Sequence, residues 1–140
     1  GTDVARKILI LARESGLNIE LSEIKNDSFL PNDSIAASTK EEFYNSLESN
    51  SNHFNKILLD AELNKCRLKY VAQLENGIAS VGLQYINENH DFYNLEGSDN
   101  IILFYTNRYA DQPLIVKGAG AGAEVTAAGI FADIIRIGKK

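Results

Sequence analysis

Only one cysteine, Cys66, occurs in the 140-residue chain, so no internal disulfide can form. No run of about 18 apolar residues and no cleavable signal stands out, which leaves no candidate membrane helix and makes the cytoplasm the expected compartment. Basic residues are also scarce: 14 Lys and Arg against 19 Asp and Glu give a net charge of -5, with a pI near 5.0. Nucleic acid and anionic membrane surfaces reward clustered positive charge, so neither is expected as a partner, and small molecules or other proteins remain. The only histidines, His53 and His90, sit in polar surroundings far from Cys66 in sequence. A thiol-base pair therefore has no support, and no metal ligands are singled out. Internal repeats, low-complexity tracts and linkers are lacking too. What is present is a 44% apolar composition, enough for one domain with a real hydrophobic core.

Residues 3–14 (DVARKILILARE) place Val4, Ile8 and Leu11 on one helical face, widened by Leu9, Ile10 and Ala12, with Ser15-Gly16 as a stop. A mostly buried helix is expected there. Residues 19–30 read as an irregular strand and residues 31–39 as a polar loop. Ser38 or Thr39 then caps a helix bearing Phe43, Tyr44 and Leu47, and a second helix carries Phe54, Ile57, Leu58, Ala61 and Leu63. Both look amphipathic and surface-lying. The period next changes to two: Leu68, Tyr70, Ala72 and Leu74 alternate with polar or smaller residues, as do Ala79, Val81, Leu83 and Tyr85. Asn76-Gly77 lies between the two runs, and both residues tolerate the positive φ of a type I′ turn, so a hairpin is expected. After a polar connection over residues 87–100, IILFY (101–105) and LIV (114–116) are short and uniformly apolar, as central strands covered on both faces would be. The expected class is α+β, with a mixed, largely antiparallel sheet and helices on one face.

The segment GAGAGA at residues 118–123 sits between a strand and a helix and satisfies G-x-G-x-x-[G/A] through Gly118, Gly120 and Ala123. Small residues there let backbone amides approach a pyrophosphate, and the helix that follows adds its positive end. Only residues 124–140, 17 positions, follow. A second strand and a ribose-binding acid about 20 positions on cannot both fit, so the run does not open an intact nucleotide fold. Two readings stay open: close packing of a helix on a sheet, or support beside a ligand.

Asp3 and Lys7 are four apart on the first helix, acid toward the N-terminus, near enough to pair. Such pairs commonly decorate a solvated face. A lysine on a largely apolar helix, its ammonium held by a carboxylate, can equally donate a proton to a developing alkoxide. Spacing alone does not choose.

Two blocks together, GTDVARKILILARE at residues 1–14 and NIILFYTNRY with QPLIVKGAGAGAEVTAAGIFADIIR within residues 100–136, closely resemble the C-terminal half of homoserine dehydrogenase, particularly the form fused to aspartokinase. The likeness spans nearly the whole chain and is weakest over residues 30–65. It implies a reductase of aspartate 4-semialdehyde to homoserine, using NADPH or NADH, on the route to threonine and methionine. By the same resemblance Lys7 is the acid-base residue and Asp3 binds substrate or holds the lysine. Gly122 is expected near the cofactor, with Gly120, Ala121 and Glu124 close by. The glycine run then becomes the last turn of a nucleotide-binding domain, and its helix would close a Rossmann domain that begins upstream of Gly1. The family's nucleotide-binding half, and the substrate-binding glutamate ahead of DVARK, are absent from the chain.

The expectation is thus a part of a longer polypeptide. Residues 1–117 would be the substrate-binding and dimerisation domain, and residues 118–140 the glycine-rich turn and closing helix. Alone, it should neither bind cofactor tightly nor turn over. A homodimer or higher homo-oligomer is implied, with the hairpin over residues 67–86 and the strand at 101–105 as candidate contacts. A non-catalytic α+β binding or dimerisation module is the alternative. The choice between NADH and NADPH belongs to the absent half.

Overall fold

The computed structural model describes residues 1–139. The elements run α1 (Thr2–Glu14), a 3-10 turn (Leu21–Glu23), β1 (Lys25–Asp27), α2 (Asn32–Ala36), α3 (Lys40–Ser49), α4 (Ser51–Leu63), β2 (Arg67–Glu75), β3 (Ile78–Ile86), β4 (Asp99–Phe104), β5 (Leu114–Ala119) and α5 (Ala123–Gly138). They form two compact units, Gly1–Tyr93 and a second from Asn94 onward. The class is α+β, as expected, but the strands divide between two sheets rather than sharing one: β1-β3-β2 in the first unit and β4-β5 in the second.

In the first unit the hairpin forms at the expected place. β2 and β3 pair antiparallel from Arg67 opposite Ile86 to Glu75 opposite Ile78. Asn76 (φ 51°) and Gly77 (φ 80°) make the turn, both in the left-handed region that a type I′ turn needs. β1 pairs parallel to the other edge of β3, Lys25 opposite Ser80. Helix α1 lies on this sheet through Ala5, Ile8 and Ala12, whose spacing of three and four keeps them on one stripe. Ala5 and Ile8 join Ile24, Ala79 and Val81 in the core, with Val4, Leu11, Tyr70, Ala72 and Leu74 packed around it. Alanine at positions 5 and 79 lets helix and sheet approach closely.

Several expectations are corrected here. Helix α1 is amphipathic rather than mostly buried: a three-stranded sheet covers one side only, and Ile10 stays 61% exposed. The irregular strand expected over residues 19–30 shrinks to the 3-10 turn and the three residues of β1. The polar loop expected over residues 31–39 contains α2, tied to α3 where Ser46 Oγ donates to buried Ser34 Oγ at 2.9 Å. Helix α3 begins as its cap residue directs. Thr39 Oγ1 accepts the Glu42 N–H at 3.1 Å, and the Glu42 carboxylate accepts the Ser38 and Thr39 N–H groups at 2.9 and 3.3 Å. Helix α4 buries Ala61 and sets Phe54 edge-on to Phe29, centroids 6.4 Å apart.

In the second unit, β4 and β5 pair antiparallel from Asp99 opposite Ala119 to Phe104 opposite Leu114. They are not central strands: each pairs only with the other, and β5 is exposed along its length. Helix α5 also buries none of its residues, and leaves Ile130, Phe131, Ile134 and Ile137 in the open. The apolar pattern is that of covered elements, yet among the described residues β5 and α5 stay exposed while β4 is mostly half-buried.

Candidate functional site

Asp3 and Lys7 occupy successive turns at the start of α1, where Gly1 is the N-cap and its carbonyl accepts the Ala5 N–H at 2.9 Å. A carboxylate in the first turn suits the positive end of the helix. Lys7 Nζ and Asp3 Oδ2 lie 3.1 Å apart, with side chains 58% and 80% exposed respectively. The structure therefore brings the two together as their spacing predicts, at a solvent-facing position outside the core.

Asp3, but not Lys7, lines an open concavity of about 280 Å³ together with Gly1, Val4, Phe29, Tyr70 and Leu83. Asp3 and Tyr70 are the lining residues with polar side-chain groups. The Tyr70 O–H donates to Asn26 Oδ1 at 2.7 Å. Burial, and then the nearby Asp27 carboxylate, raise this phenol above its ordinary value of 10.0, so it remains a donor at neutral pH. Phe29 stands edge-on to the Tyr70 ring at 6.1 Å. Sequence reasoning placed Tyr70 and Leu83 correctly on the hairpin's alternating face but gave neither a place at a site. Asn26 and Phe29 carry no periodic signal at all.

The glycine run forms the β5–α5 turn. Gly120 N–H donates to Ser98 O at 3.3 Å, and a Cβ at this position would overlap the Asn100 side-chain amide. Gly122 (φ 125°) is the N-cap of α5 and offers no side-chain cap to the first-turn amides. Around Gly118 and Gly122 the space for a Cβ is open. Gly120, Ala121, Gly122 and Glu124 thus stand at an exposed helix start without a side-chain cap, where first-turn amides face solvent. The Glu124 carboxylate in the first turn suits a hydroxyl better than a phosphate. Asp3 and Lys7 belong to the first compact unit and the glycine run to the second.

A second open groove, about 840 Å³, runs along α4 past Asn52, Lys56, Asp60, Leu63 and Tyr85. Desolvation, and then Asp60, raise the Tyr85 phenol. His53 Nε2 lies 2.9 Å from Phe29 O, while His90 Nδ1 accepts the Phe92 N–H at 3.1 Å. Cys66 Sγ sits 3.4 Å from Asn64 O. These three side chains serve local structure. Among the described residues no group of three or more His, Cys, Asp and Glu could hold a metal ion, and no helix is long and apolar enough to cross a membrane.

Comparison with known proteins places the chain in a family. The homoserine dehydrogenase family model covers residues 1–135. A chloroplastic bifunctional aspartokinase/homoserine dehydrogenase 2 of Zea mays is 48% identical over 139 residues, 98% of this chain and 15% of that protein. The bifunctional aspartokinase/homoserine dehydrogenase of Haemophilus influenzae is 38% identical over 97% of this chain and 17% of its own length. A homoserine dehydrogenase of Paracoccidioides brasiliensis is 39% identical over 98% of this chain and 38% of its own length. A Candida auris protein described as of unknown function has a crystal structure that superposes with a TM-score of 0.86 at 40% identity, covering 100% of this chain and 40% of that one. The chain therefore spans about 15% to 40% of the relatives it matches. With the DVARK helix and the GAGAGA turn both inside the matched residues, the chain belongs to the homoserine dehydrogenase family.

Proposed function

We propose that this chain contributes the substrate side and the closing helix of an oxidoreductase that interconverts L-aspartate 4-semialdehyde and L-homoserine, on the route to threonine and methionine. The carrying observation is the 3.1 Å Asp3–Lys7 pair, its Asp3 member lining an open concavity, within the family-matched segment. NADH or NADPH, when bound, supplies the hydride. As the aldehyde is reduced, negative charge grows on its oxygen, and the Lys7 ammonium is the group that donates a proton to it. Asp3 holds that ammonium in place and offers its carboxylate to the substrate. In the reverse direction neutral Lys7 takes the proton from the homoserine hydroxyl.

Gly122, with Gly120, Ala121 and Glu124, would lie against the cofactor, where the missing side chains of the glycines admit it to the backbone. Residues 1–117 would serve as the substrate-binding and dimerisation domain and residues 118–140 as the turn and helix closing the nucleotide domain. Two or more copies would associate through the β2–β3 hairpin and β4. The proposed partner is a small-molecule substrate, with no role for nucleic acid or a membrane. The cytoplasm is the proposed compartment, a plastid being the alternative that the chloroplastic names of the plant relatives suggest.

The 58% and 80% exposure of Lys7 and Asp3 favours a second reading, a non-catalytic α+β binding or dimerisation module in which the pair is a surface decoration. The longest natural polypeptide containing this chain decides between them. Reduction of aspartate semialdehyde dependent on NADH or NADPH supports the enzyme, and its absence with a correctly folded preparation supports the module.

A further inference from the structure

We propose that Tyr70 and Asn26 form a positioning clamp on the start of α1, which sets the place of the Asp3–Lys7 pair beside the concavity. The inference rests on the proposed reading of Lys7 as the acid-base group and deepens it. Tyr70 lies on β2 and Asn26 on β1, the two strands that flank β3. Tyr70 pairs with Leu83, and Asn26 with Val81. Leu83 and Val81 are two apart on β3, so all four residues share the face on which α1 lies. The 2.7 Å bond from the Tyr70 hydroxyl to Asn26 Oδ1 spans the middle strand directly under the helix start.

Gly1 rests on that bridge. A Cβ at Gly1 would overlap the Tyr70 hydroxyl and come within 2.6 Å of Asn26 Oδ1. The contact leaves no room for a side chain at Gly1 unless the bridge moves, so bridge and helix start are closely packed. Because the Gly1 carbonyl accepts the Ala5 N–H, a displacement of Gly1 passes into the first helical turn, which carries Asp3. Asp3 in turn holds Lys7 one turn on. Phe29, edge-on to Tyr70, fixes the ring so that the hydroxyl keeps its position. Gly1, Asp3, Phe29 and Tyr70 also line one concavity, so the Tyr70 end of the clamp and the carboxylate partner of Lys7 share a wall.

The test uses the longest natural polypeptide that contains this chain. Tyr70→Phe removes the hydroxyl and keeps the ring, and Asn26→Ala removes the acceptor. Each is expected to lower kcat about tenfold, because a misplacement of the order of 1 Å costs up to about a hundredfold. The cofactor KM should stay within about twofold. The solvent deuterium effect on kcat should grow, since proton donation becomes more limiting. Gly1→Ala should be harmful in the parent and partly rescued by Tyr70→Phe, which vacates the overlapped space, giving a non-additive cycle. Loss of kcat with an unchanged solvent isotope effect and no rescue would show a merely structural role and overturn the clamp. So would kcat within about twofold for both variants while Lys7→Ala abolishes turnover, a result that leaves the reading of Lys7 standing. Full turnover by Lys7→Ala would remove that reading and the clamp with it.

Discussion

Replacing Lys7 by alanine separates a working ion pair from an ornamental one, because the structure sets very different sizes for the two effects. The ammonium and the Asp3 carboxylate are 3.1 Å apart but mostly solvated, at 58% and 80% exposure. An exposed i,i+4 pair of this kind stabilises a helix by about 0.3–0.5 kcal/mol. No core residue is disturbed, since Ala5, Ile8 and Ala12 carry the burial of α1. Lys7→Ala should therefore lower the melting temperature by about 2 °C or less, followed by circular dichroism. General acid-base catalysis is worth about 10²- to 10⁴-fold, which corresponds to about 2.7–5.4 kcal/mol of transition-state stabilisation. The same variant in the longest natural polypeptide should then lose at least about a hundredfold in semialdehyde reduction while remaining folded. Turnover within about twofold of the parent, with the small melting shift as predicted, would refute the assignment of Lys7. A large loss of stability alongside lost turnover would instead refute the premise that the pair is energetically minor.

Three further outcomes follow from the packing. Val81→Ala removes two methyl groups from the most buried position of the core beneath α1, and equilibrium unfolding should show a loss of about 2–3 kcal/mol from transfer plus cavity terms. Thr39→Ala deletes the acceptor for the Glu42 amide at the start of α3, and about 1 kcal/mol should be lost in the same assay. The Tyr70 phenol holds its proton more tightly in the folded state than its ordinary value of 10.0. The folded form then binds more protons in the window just above pH 10, so stability falls as pH rises through it, and Tyr70→Phe should flatten that fall in urea unfolding measured across alkaline pH.

The parts that local chemistry dictates were legible in the sequence. Asn76-Gly77 fixed the hairpin because its positive φ values leave few alternatives, and the alternation on either side fixed which face turns inward. The start of α3 was legible as a cap at Ser38 or Thr39, and Thr39 takes that place, with Glu42 completing a capping box. Elements defined by distant partners were not legible. β1 is three polar residues, Lys25, Asn26 and Asp27, and exists only because β3 offers an edge to pair with. Helix α1 was over-assigned to the interior because Leu9, Ile10 and Ala12 widen its apolar arc, whereas the sheet beneath covers a stripe. The uniformly apolar β4 and β5 suggested central strands, and periodicity cannot report that each has a single pairing partner. At the site, the Asp3–Lys7 contact follows from helical spacing alone. The Tyr70–Asn26 bridge joins residues 44 apart, and no spacing rule reaches across such a distance.

Isotope transfer tests the central chemistry most directly. The longest natural polypeptide carrying this chain would be supplied with aspartate 4-semialdehyde and NADH or NADPH deuterated at the transferable position, and the product examined by mass spectrometry. Homoserine carrying one deuterium on the former aldehyde carbon, formed by the parent and reduced at least about a hundredfold in Lys7→Ala, is the predicted result. Unlabelled product, no homoserine at all, or equal labelling by the Lys7→Ala variant would contradict it.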